Sequence, residues 1–182
     1  MRTRPPATVG NHNVTVLVRT NVNYNYKVTF VRDALIATVA VVGLYLLGEG
    51  VQFQPLQIPW YLLVVGFDVL EAVFGSAGQN YDVLFAAYLV GLGVVGGLVA
   101  SLVRGQMGER IRRPDSARAA LRLGVAGALA VVGVISLLFA SVVLLGTSQL
   151  APVLITGVTG LVMLGVAGWL AGVFDSRDGR TA

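Results

Sequence analysis

The sequence predicts an all-α integral membrane protein: four transmembrane helices in a bundle plus one short outer interfacial or re-entrant helix at about 58–74. Three observations lead there. First, 55% of the 182 residues are hydrophobic and only 12% are charged, too apolar for a soluble domain of this length. Second, apolar stretches recur over Ala34–Gly48, Tyr81–Val103, Leu121–Leu145 and Pro152–Phe174. Runs of about 18 or more such residues leave no water-facing side, so they read as spans. Third, all thirteen basic residues fall on one side of a membrane if those four stretches cross it. Basic residues near span ends stay cytoplasmic, which puts both termini and the Arg104–Arg122 loop on the cytoplasmic side of the cell membrane.

The expected organisation is a cytoplasmic tail over 1–31 and a membrane domain over 32–174. Spans are expected at about 32–50, 81–103, 120–145 and 152–174, with a second cytoplasmic tail over 175–182. Within the first tail, residues 11–27 hold five of the six asparagines, together with His12 and Lys27, the only histidine and lysine. Val14, Val16, Val18, Thr20, Val22, Tyr24 and Tyr26 alternate with period two, a strand signal without a strand to pair with. Over the whole chain arginine outnumbers lysine twelve to one, the coding bias of a GC-rich prokaryotic gene. Two readings stay open: a translated tail, or upstream DNA with the true start near Val28. The sequon Asn13-Val14-Thr15 lies on the cytoplasmic side and reads as chance.

The segment Ile58–Phe74 is apolar enough to suggest a fifth span. Were it to cross, Arg104–Arg122 with its six arginines would face outside, against the positive-inside rule. At ~1.5 Å per residue its seventeen residues reach only about 25 Å, short for a ~30 Å hydrocarbon core. It also carries Asp68 and Glu71, each costly at a bilayer centre. Pro59 suits a first helical position, Gly75 a stop, and Trp60 with Tyr61 an aromatic belt.

The outer side then carries Glu49, Asp68, Glu71 and Asp82 and no base, while thirteen bases face five acids inside. Glu49, Asp68 and Glu71 form a candidate cation-binding mouth, Asp68 and Glu71 sharing a helix face at i, i+3. The plainer reading is the solvated face of an interfacial helix. Asp82, after Asn80, suits the first turn of a span as a partner of the helix dipole, with Asn80 as N-cap. Arg104, Arg110, Arg112, Arg113, Arg118 and Arg122 are candidates for contact with anionic lipid headgroups. Gly93, Gly97, Gly168 and Gly172 have the four-residue spacing of helix packing. Thr38, Ser136, Ser141, Thr156 and Thr159 can each bond their own helix backbone.

Known chemistries are poorly matched. A single lysine and a single histidine exclude a Walker A loop at any other lysine and a two-histidine zinc motif. The absence of cysteine removes thiol nucleophiles and thiolate metal sites. Asp68 and Asp82 would be the pair for an intramembrane aspartyl protease, but Val65-Gly66-Phe67-Asp68 lacks that chemistry's usual Gly-x-Gly-Asp. The expectation is a small non-enzymatic membrane protein, a scaffold or the membrane subunit of a complex. A cation or proton pathway through Glu49, Asp68 and Glu71 is the alternative. No cofactor and no nucleic acid is expected. The expected partners are a bilayer with an anionic inner leaflet, and a second copy or another membrane subunit.

Overall fold

The computed structural model describes residues 12–51, 54–106, 117–146 and 150–174. It holds five α-helices: α1 (His12–Gly50), α2 (Gln54–Phe74), α3 (Tyr81–Gln106), α4 (Ala117–Gly146) and α5 (Leu150–Leu170). All five include a stretch long and apolar enough to cross a membrane, over Lys27–Gly50, Gln57–Phe74, Gly78–Gln106, Ala117–Gly146 and Leu150–Leu170.

Close approaches fix the helix directions. Gly97 of α3 lies on Ala34 of α1, and Gly93 on Thr38. Further along, Tyr45 meets Phe85 with ring centroids 5.1 Å apart. Numbers rise along α1 as they fall along α3, so the two run antiparallel and in register. Gly96 lies on Gly127, Tyr88 and Ile135 both reach the Gly66 backbone, Gly133 lies on Gly160, and Ser136 donates to the Thr156 carbonyl at 2.6 Å. Hence α4 runs antiparallel to α3, and α5 antiparallel to α4. In lipid, helices attract one another by close packing and hydrogen bonds, which is why backbone-to-backbone glycine contacts recur at three interfaces.

The helix α2 is attached at both ends to one end of this bundle. Trp60 packs on Tyr45 near the end of α1, and Phe67 packs on Tyr81 and Phe85 at the start of α3. Leu62, Leu63 and Phe67 are buried, so α2 is wedged between α1, α3 and α4 and does not rest loosely on them. Its start differs from expectation. It begins at Gln54 and includes Pro59 in its interior, at the cost of one intrahelical bond. Its end matches the stop signal, for Gly75 has φ +104°, a conformation only glycine takes cheaply.

Two further expectations change. Residues 12–26 continue α1 and are not extended, because period-two patterning cannot make a strand without a pairing partner. Asn80 belongs to a 3₁₀ turn, Gly78–Asn80, which runs directly into α3. Asp82 does occupy the first turn of α3.

Candidate functional site

Three features stand out: a buried ion pair at the end of the bundle where α1's apolar stretch begins, an acidic surface at the opposite end, and an apolar groove beside α2.

Asp33 has no exposed surface, and Arg104 Nη2 sits 2.7 Å from its Oδ2. Arg32 Nε lies 3.7 Å from Oδ1. The carboxylate comes from α1 and its principal partner from the last turn of α3. These positions follow from the small-residue contact between the two helices. With Gly97 against Ala34, the chain from Asp33 to Arg104 needs no room beyond the arginine's own length. A charge inside the bundle is tolerable only when paired, and Arg104 pairs it. Two guanidiniums share one carboxylate, however. Both Asp33 oxygens, Arg104 Nε and Nη2, and Arg32 Nε and Nη2 are buried without a well-aligned hydrogen bond among the described residues, so charge and not hydrogen-bond geometry holds the pair.

This placement changes the role expected of Arg104, which turns into the bundle and is only 17% exposed. The signal that the sequence carries is an acid just before the first apolar stretch, Asp33, and a base just after the second, Arg104. Arg118 and Arg122 are exposed at the start of α4. Arg110, Arg112 and Arg113 lie outside the described residues.

At the other end, Glu49 and Asp68 are exposed and Glu71 is half-buried. Glu71 accepts a 2.7 Å hydrogen bond from the Ala77 N–H, closing the turn after α2. Among the described residues, no three acids, histidines or cysteines gather closely enough to hold a metal ion. Asp68 and Glu71 therefore share a helix without joining Glu49 in one cluster.

The glycines divide by position. Gly93 and Gly97 carry the α1–α3 contact. Gly168 and Gly172 serve instead in the turn that ends α5. The Val173 N–H bonds the Gly168 carbonyl and the Gly172 N–H bonds that of Trp169, both at 3.0 Å. Gly172 has φ +74°, the left-handed residue of a Schellman turn, and Phe174 covers Gly168. Among the hydroxyls, Thr38, Ser141, Thr156 and Thr159 bond carbonyls four residues back. Ser136 crosses to α5 instead.

The groove has a volume of about 840 Å³ and lies between α2, α3 and α4. Val69, Leu70, Gly91, Val95, Leu138 and Val142 are among its walls, with Tyr88 and Glu71 its polar members. The sequence does not reveal it, since its walls come from three helices that meet only in the folded bundle.

No family model, curated protein or solved structure matches the chain significantly.

Proposed function

We propose that the protein is a non-enzymatic integral membrane protein, acting as a scaffold or as the membrane subunit of a complex. In this reading α1, α3, α4 and α5 cross the cell membrane, both termini are cytoplasmic, and α2 enters and leaves from the outer side. The antiparallel pairing of α1 with α3 supports that topology. Were α2 itself a crossing, α1 and α3 would run parallel, whereas they run antiparallel. The one-sided basic residues support the orientation independently, and Arg118 and Arg122 would face anionic headgroups of the inner leaflet.

The observation that carries the functional reading is how the bundle uses its buried polar side chains. Asp33 is closed by Arg104, and Ser136 by a carbonyl of α5. Both hold helix to helix, as a bundle built for assembly requires. Glu71 likewise uses one carboxylate oxygen to close the turn after α2.

The test has two measurements. Purified protein in liposomes should pass neither protons nor monovalent cations above protein-free vesicles, and mild-detergent extraction from native membranes should retain a partner in fixed ratio. Conductance abolished by Glu49→Gln, Asp68→Asn and Glu71→Gln together would replace the subunit reading with the cation pathway.

A further inference from the structure

We propose that the groove between α2, α3 and α4 binds a single hydrocarbon chain carrying an uncharged, hydroxyl-bearing head, with the head beside Glu71. The inference goes beyond the scaffold reading and does not depend on it.

The groove has the size and lining for such a chain. Along α3 its wall runs from Leu84 to Val95, about 17 Å at the helical rise of ~1.5 Å per residue. A single hydrocarbon chain laid along that length fits within the 840 Å³. Two glycines make the space. At Gly91 a side chain would meet nothing within 4 Å, and at Gly66 a Cβ would strike the Tyr88 hydroxyl, which packs against the bare backbone there. Val69, Leu138 and Val142 remain more than half exposed on the walls, so the groove opens sideways at the level of the spans. There the surrounding solvent is itself hydrocarbon.

Charge selects the head. Between Asp33 and Arg104 the sequence contains no lysine, arginine or histidine, and none lies between Arg122 and Arg177. The polar end of the groove therefore presents the Glu71 carboxylate with no base from any helix near it. An anionic phosphate head would meet like charge, and like-charge juxtaposition discriminates strongly between otherwise similar ligands. A hydroxyl can donate to the carboxylate instead.

The experiment uses 10-(1-pyrenyl)decanol and its sulfate ester, a permanent anion, in nanodiscs holding the full chain with Trp169→Phe. Energy transfer to pyrene then reports from Trp60, two residues from groove-lining Leu62. The expected result is saturable transfer with the alcohol, about ten-fold weaker binding of the sulfate, and loss of saturable transfer in Gly91→Leu. Glu71→Gln keeps an acceptor for the Ala77 N–H and should narrow the gap between the two probes. Leucine at 91 points into open space and favours helix, so its melting temperature should not fall. If it does, Val95→Phe fills the same groove. Equal transfer in wild type and filled variants overturns the proposal, as does sulfate binding as well as alcohol. So does a wild-type dimer that filling converts to monomer, because a second copy would then be the occupant.

Discussion

The Asp33–Arg104 pair yields an asymmetric prediction. Arg104→Gln removes the 2.7 Å partner and leaves a carboxylate with no exposed surface, its remaining cation being Arg32 at 3.7 Å and 40% exposed. Asp33 has a short side chain and cannot reach water, so the full penalty of breaking a buried pair applies, about 3 kcal/mol. Asp33→Asn removes the other partner with a different consequence. Arg104 stands in the last turn of α3, two residues from its end at Gln106, and is already 17% exposed. Its long stem can carry the guanidinium out to the interface, where the helix C-terminus also favours it. That substitution should cost about 1 kcal/mol. The double variant should resemble Asp33→Asn alone, so the cycle gives a coupling of about 2 to 3 kcal/mol. Reversible unfolding in mixed micelles with increasing SDS fraction measures all four proteins. Equal single costs, or a larger cost for Asp33→Asn, would refute the argument that burial depth decides which partner is indispensable.

Other outcomes follow from the same geometry. Gly127→Ala should lose about 1 to 3 kcal/mol by overpacking, since its Cβ would meet the Gly96 carbonyl oxygen, while Gly165→Ala, facing open space, should unfold like wild type in the same SDS titration. Ser136→Ala should cost about 1 kcal/mol, with Ser141→Ala near zero, because only Ser136 joins two helices. Cysteines placed singly at Gln106, Thr147 and Thr181 should react with an impermeant maleimide in intact cells at position 147 only; labelling at 106 would mean that α2 crosses. Asp68→Asn with Glu71→Gln should abolish any rise in melting temperature given by calcium or magnesium, and no rise in wild type would leave Asp68 simply solvated.

The sequence by itself determined the helical membrane class and the approximate positions of the helices. Both follow from local quantities, the length of apolar runs and the residues that start and stop them. Gly75 ends α2 and Asp82 opens α3 for reasons visible within a few residues. The spacing of Gly93 and Gly97 even marked a packing face, though not its partner, and the identical spacing of Gly168 and Gly172 marked a turn. What only the tertiary structure decided is which distant residues meet. Asp33 and Arg104 are 71 positions apart in sequence, and their pairing depends on α1 and α3 lying antiparallel in a register set by glycine contacts. The groove arises in the same way, from residues of α2, α3 and α4 that only the folded bundle brings together. Periodicity and charge counts report what each segment can bury. They do not report the neighbour against which it is buried, because in lipid that choice rests on shape and hydrogen bonding between helices and not on hydrophobicity.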